Sequence, residues 1–148
     1  MKLTVVVNKE QKDIEVIIKC QTKDALVKEI THALTYFKLN LVCKKDNEFF
    51  QVKLQDIYYI DALGHQVFVY TKHDIYNIDQ KLYQLVTLLE HTPFLRVNKS
   101  TIVNTKKIIR FNSFINGRME ARLDNDDRIK ISRLYVSSLK EKMGGQHK

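Results

Sequence analysis

Glycine and proline are scarce in this 148-residue chain, at four and one. That argues against a flexible linker and against low-complexity segments. Long apolar runs are missing as well. No stretch approaches the roughly 18 apolar residues that a membrane span needs, so no direct membrane insertion is expected. Residues 1–8 hold one lysine and five apolar residues, with no long hydrophobic region and no small-residue cleavage site. That is not the pattern of a secretory signal. There are only two cysteines, Cys20 and Cys43, 23 positions apart and without CxxC spacing. They read as thiols in a reducing cytosol, and a cytoplasmic protein is expected. The five histidines, His32, His65, His73, His91 and His147, form no HxH, HExxH or His–Cys pattern. No glycine-rich phosphate loop and no helix-turn-helix pattern is visible. No catalytic, cofactor-binding or metal-ligating residue is assigned, and an enzyme is not expected.

What is present is enough for a core. The chain is 44% hydrophobic and 28% charged, with the charges scattered, which excludes long disorder. The net charge of +8 is unevenly placed. Residues 1–95 hold 12 Lys/Arg and 12 Asp/Glu, whereas residues 96–148 hold 13 and 5. The whole excess lies in the last third. A basic patch on one part of a fold is the footprint of a polyanion partner or, more plainly, a solvated basic face.

Residues 3–7 and 14–20 are apolar and β-branched, with a polar stretch between them, and read as two strands. Thr22 offers an N-cap for a helix over 23–38, on which Leu26, Ile30, Ala33, Leu34 and Phe37 share one face. From residue 40 the pattern becomes β. Strands are predicted at 40–45, 49–54, 56–61, 66–71 and 74–78, with Leu63-Gly64-His65 as a turn. Asp79 can cap a short helix over 80–91, which Thr92-Pro93 stops. Strands follow at 101–104, 107–115, 118–123 and 128–131. Asn116-Gly117 marks a two-residue hairpin, and 124–127 another turn. A last helix spans about 134–143 and ends at Gly144-Gly145. The expected division is a small ββα unit over 1–43 and a β-rich domain over 44–148. The first serves self-association or partner binding, or simply covers an open sheet edge.

Two stretches can carry chemistry. In the first, Phe94, Leu95, Val97, Ile102 and Val103 anchor a segment that presents Arg96, Asn98, Lys99, Ser100 and Asn104. Arg and Lys suit guanine, Asn suits adenine, and Ser suits phosphate. A polar turn with Asn caps is the plainer alternative. In the second, Ile131-Ser132-Arg133-Leu134-Tyr135, an arginine stands at a strand-to-helix junction, where Ser132 could serve only as a cap.

These two elements, with Ile108, Asn116-Gly117, Gly64 and Asp56-Ile57-Tyr58-Tyr59-Ile60-Asp61, resemble the LytTR family of bacterial DNA-binding domains. The resemblance covers residues 45–144, about two thirds of the chain. It implies a mainly β, elongated fold of short antiparallel sheets with one short inserted helix and a C-terminal helix. It implies a sequence-specific transcription regulator that reads the major groove of duplex DNA through loop side chains, often at paired direct repeats. Carried over by position, it implies base contacts from His65, Asn98 or Lys99, and Arg133. Arg96 and Ser100 would hold phosphate, with Lys106, Lys107 and Arg110 adding phosphate attraction that salt weakens. Asn104 would be structural. Each has a plainer role: His65 as a turn residue, Lys99 as a solvated charge, Arg133 as the partner of a nearby acid. Many family members carry an N-terminal receiver domain, for which residues 1–43 are too few, and phosphorylation at Asp13 or Asp24 is not supported. The resemblance is therefore to the short, receiver-less type. Some such regulators pair with a small controlling membrane protein, and two copies on DNA are expected. The other classes weighed are a protein-interaction module that modulates another regulator without binding DNA, and an RNA-binding domain, for which the sheet-face aromatics are lacking.

Overall fold

Two runs rich in apolar and aromatic residues, 57–63 and 66–71, separated by Gly64-His65, dictate a hairpin, and the rest of the sheet grows from it. A computed structural model describes residues 1–144 of the chain. Its elements are helix α1 (Ala25–Lys38), strands β1 (Asn40–Lys45), β2 (Glu48–Lys53), β3 (Ile57–Leu63), β4 (Gln66–Thr71) and β5 (Ile75–Ile78), and helix α2 (Leu82–Leu88). Strands β6 (Phe94–Arg96), β7 (Thr101–Asn104), β8 (Ile108–Ser113), β9 (Met119–Leu123) and β10 (Arg128–Ile131) and helix α3 (Arg133–Lys142) follow. Short 3-10 turns, Leu54–Asp56 and Thr105–Lys107, join β2 to β3 and β7 to β8. The strands form a seven-stranded sheet in the order β2-β1-β5-β4-β3-β7-β6 and a three-stranded sheet β10-β9-β8. Every pairing is antiparallel. The class is mainly β, as expected.

The large sheet is apolar on both faces where β3 and β7 meet. Ile57, Ile60 and Ile102 enter one core with Leu82, Leu85 and Leu89 from α2 and its C-terminal end. Tyr58 and Val103 enter a second core with Ala121, Leu123, Ile129 and Ile131 of the small sheet and Leu139 of α3. All four residues of β7 are therefore buried, the mark of a strand covered on two faces.

Several local expectations need correction. Residues 3–7 and 14–20 form no strand. The chain turns between them, with Gln11 N–H donating to the Asn8 carbonyl at 3.0 Å. Their side chains nevertheless stay in solvent, Val5 and Ile14 at 77% and 96% exposed. Helix α1 begins at Ala25, capped by Asp24, whose Oδ1 accepts from Val27 N–H at 3.1 Å, and not by Thr22. Its stripe of Leu26, Leu34 and Phe37 is exposed, and Tyr36, about a quarter turn away, is the residue it buries. Tyr36 wins because its hydroxyl has a buried partner, Asn104 Nδ2 at 3.0 Å. Alongside it, His32 stacks on His91 with ring centroids 4.2 Å apart.

Helix α2 starts later than expected. Its N-cap is Lys81, whose N–H donates to Gln84 Oε1 at 2.8 Å, so Asp79 does not cap it. The hairpin at Asn116-Gly117 has three loop residues, not two, because Phe114 N–H donates to the Arg118 carbonyl at 2.9 Å and Gly117 takes φ 82°. This is the loop length that wants a left-handed glycine at its third position. Strand β6 was not anticipated. Strand β1 spans Asn40–Lys45, as expected. Helix α3 ends at Lys142, and Gly145, the second glycine expected to stop it, lies outside the described residues. No helix among the described residues is long and apolar enough to cross a membrane.

The two cysteines differ sharply. Cys20 is exposed and Cys43 is buried, and burial pushes the Cys43 thiol up to about 11. A thiol reagent at mildly alkaline pH is expected to label one cysteine of the folded chain and the second only in denaturant. Rapid labelling of both in the native chain would contradict the packing of β1.

Candidate nucleic-acid interface

Hydrogen bonds, and one close packing contact, gather four separate loops at one end of the molecule. Strand β3 reaches that end beside β7, where Thr101 Oγ1 donates to Asp61 Oδ1 at 2.9 Å and Ala62 N–H donates to the Ser100 carbonyl at 2.8 Å. Beyond Ala62 the chain turns through Gly64 and His65. Gly64 has φ 62°, so it supplies the first central residue of a two-residue turn, and His65 stands exposed at the tip. The β6–β7 loop, residues 97–100, lies against the start of α3, with Ser132 N–H donating to the Val97 carbonyl at 3.0 Å. Asn98 Nδ2 donates to the Lys130 carbonyl at 2.8 Å. The fourth loop is at Gly117. A Cβ there would lie 2.9 Å from Arg133 Cδ, so the glycine makes room for the arginine stem.

Within this cluster the side chains divide into those that build the loop and those left over. Arg96 donates through Nε to the Asn98 carbonyl at 3.2 Å, and through its terminal nitrogen to the Lys99 carbonyl. Asn98 Oδ1 accepts from Ser100 N–H at 2.9 Å and Ser100 Oγ at 3.2 Å. Both ends of the Asn98 amide are thus engaged, and Arg96 and Ser100 are spent on the same loop. Lys99, His65 and Arg133 are exposed. Among the described residues, no ion pair involves any of the three. Ser132 occupies the N-cap of α3 without a side-chain cap bond.

Lys106 and Lys107 do not join this cluster. They follow β7 at its far end, roughly 10–15 Å along the strand from Thr101. The Lys107 ammonium sits 4.9 Å over the Tyr58 ring. Burial, with the nearby Asp124 carboxylate, pushes that phenol up to about 12. Asn104 is structural, fully buried and bonded to Tyr36, to the Ile57 carbonyl at 2.9 Å and to Lys106 N–H at 3.1 Å.

Sequence reasoning assigned Arg110 alone on the small sheet and missed what the register adds. Arg110 faces Arg122, and Arg122 faces Arg128, so three guanidinium groups line up across β8, β9 and β10. Lys130 extends the same face, while Ile129 and Ile131 point to the core. Asp126 pairs with Arg122 at 2.7 Å, and Glu120 lies 3.9 Å from Arg128. Arg122 Nε is buried without a partner among the described residues. No regular spacing of the arginines marks the row in the sequence; only the hairpin register brings them side by side.

A β framework that clusters exposed donors on loops and lines a neighbouring sheet with arginines has the makings of a nucleic-acid-binding domain. The LytTr DNA-binding domain family model matches residues 47–144. Sensory transduction protein LytT of Enterococcus faecalis is 26% identical over 99 residues, which cover 67% of this chain and 41% of that protein. Transcriptional regulatory protein YpdB of Escherichia coli K12 is 30% identical over 106 residues, covering 71% of this chain and 43% of that protein. The chain thus spans less than half of each of these two relatives. Among solved structures, the LytTr DNA-binding domain of a methyl-accepting/DNA response regulator from Bacillus cereus superposes with a TM-score of 0.65 at 20% identity, covering 71% of this chain and 96% of that domain. This chain belongs to the LytTR family of DNA-binding domains.

Proposed function

We propose that this protein is a cytoplasmic, sequence-specific transcription regulator that reads the major groove through loop side chains, with Arg133, Lys99 and His65 on base edges. The observation that carries the reading is the one-ended cluster. Three exposed donors, His65 and Lys99 on two loops and Arg133 at the start of α3, sit on segments that hydrogen bonds tie together. Arg133 is suited to the paired acceptors of guanine. Asn98, Arg96 and Ser100 act by holding the loop in shape, and contact from any of them to DNA would require exchanging a bond they already make. The arginine row Arg110–Arg122–Arg128 supplies phosphate contacts that set register without reading sequence. Two copies occupy paired half-sites, direct repeats in the family's manner. A small membrane protein that controls the regulator fits the same reading.

The test is a titration of fluorescent duplexes from upstream regions of the source genome at two salt concentrations. Affinity should differ strongly between duplexes. It should fall roughly a hundred-fold between 50 and 200 mM salt if about four phosphates are neutralised. Arg128→Ala should weaken binding equally on every duplex and reduce the salt slope by about 1. Weak binding that is equal on all duplexes would sink the reading.

A further inference from the structure

We infer that residues 14–20 pair antiparallel with the same residues of a second copy, about a two-fold axis at Ile17, so that the N-terminal arms join two chains. This deepens the two-copy reading above and stands independently of DNA. The segment forms no ladder within the chain, and Ile14, Val16, Ile17 and Ile18 are all exposed. It reads Ile-Glu-Val-Ile-Ile-Lys-Cys, in which the charged residues stand at mirror positions about Ile17 with opposite sign. Antiparallel pairing centred on Ile17 sets Ile14 against Cys20, Glu15 against Lys19 and Val16 against Ile18, each twice. Opposite charges directly across a ladder stabilise it, and like charges oppose it. A slip of one residue in either direction sets Glu15 or Lys19 against an apolar or uncharged neighbour. Parallel pairing in register would set Glu15 against Glu15 and Lys19 against Lys19. Only the centred antiparallel register satisfies both charges, and it is the arrangement a two-fold axis generates.

The area agrees with a second copy as occupant. Apolar side chains of the arm and of the α1 stripe, among them Val5, Ile14, Ile17, Leu26 and Phe37, are between 51% and 96% exposed. Together with their neighbours they offer on the order of 1,000 Å² per chain, against the roughly 800 Å² that each partner contributes to a stable complex. An uncovered edge of this composition is otherwise a hazard for open-ended pairing, and closure by a two-fold removes it. The chain bends at Gln21 and Thr22, between arm and helix. That bend is where two DNA-binding domains could take the same orientation on a direct repeat while their arms remain related by a two-fold.

Sedimentation velocity on the full chain without DNA tests this. The wild type should be a dimer. Glu15→Lys and Lys19→Glu should each raise its dissociation constant by about ten-fold, since each sets like charges opposite one another twice. The double variant should restore it. In a Cys20→Ser background, Ile17→Cys should form an inter-chain disulfide on mild oxidation, because directly opposed strand residues fall within disulfide reach. A monomer at all concentrations would overturn the inference. So would a dimer indifferent to both reversals, or one broken only by Phe37→Asp, and a heterologous partner would then be sought for the arm. Affinity for a duplex with one half-site should be unchanged in the arm variants, so failure here leaves the DNA reading intact, and the reverse holds too.

Discussion

Replacing Arg133 with alanine should lower affinity for the matched duplex roughly 5- to 150-fold, the ~1–3 kcal/mol of a bidentate arginine–guanine contact, and leave scrambled duplexes nearly unchanged. The prediction separates two roles that one loss of affinity would confuse. A phosphate contact is blind to sequence, so its loss would weaken matched and scrambled duplexes alike and flatten the salt dependence. A base contact removes discrimination at one position. Arg133→Lys sharpens the test, because lysine keeps the charge and lacks the planar fork, and should recover little of the specificity. Gly117→Ala should act in the same direction without touching DNA. A Cβ at Gly117 would lie 2.9 Å from Arg133 Cδ, and φ 82° already disfavours any side chain there. The arginine must therefore shift, and discrimination should fall at the same base position. Competition binding with single-base variants of the best site reads all three. Equal losses on every duplex would reassign Arg133 to the backbone.

That the sequence could not separate the residues that build the loop from those left exposed on it has a physical basis. Apolar, β-branched runs and glycine-bearing turns exposed most of the β architecture, because such residues suit a pleated, half-buried surface and glycine suits the turns that close it. Strand β6 left no such mark, since three residues are too short for a run. Residues 3–7 and 14–20 carry a strand's composition, but composition states only that a pleated surface would suit them, not that one is present. In the loop, Arg96, Asn98, Lys99 and Ser100 are four polar residues of equal promise. What divides them is that three satisfy backbone or neighbouring groups locally and one does not. Such bonds depend on where carbonyls point, which no spacing records. The row Arg110–Arg122–Arg128 was hidden for a related reason. Its members come from three strands, and their adjacency is a property of hairpin register.

Asn104→Ala should be the most destabilising polar substitution considered, at about 2–4 kcal/mol, lowering Tm by roughly 5–15 °C. The side chain is fully buried, and its removal strands three groups at once, the Tyr36 hydroxyl, the Ile57 carbonyl and the Lys106 N–H. Each unsatisfied buried group costs about 1 kcal/mol or more, to which a small cavity adds. Asn104→Asp should be no milder, since a carboxylate cannot donate to the Ile57 carbonyl and would be charged in a core. Tyr36→Phe removes only one of the three bonds and should cost about 1 kcal/mol. Burial already holds the Tyr36 phenol above its ordinary range, the Asn104 amide partly offsetting this, so the hydroxyl stays protonated well into alkaline pH. The Asn104–Tyr36 bond is also what turns α1 so that its apolar stripe faces outward. Thermal melts of the three variants rank these costs. A Tm change under 2 °C for Asn104→Ala would show that the residue does not tie the helix to the sheet.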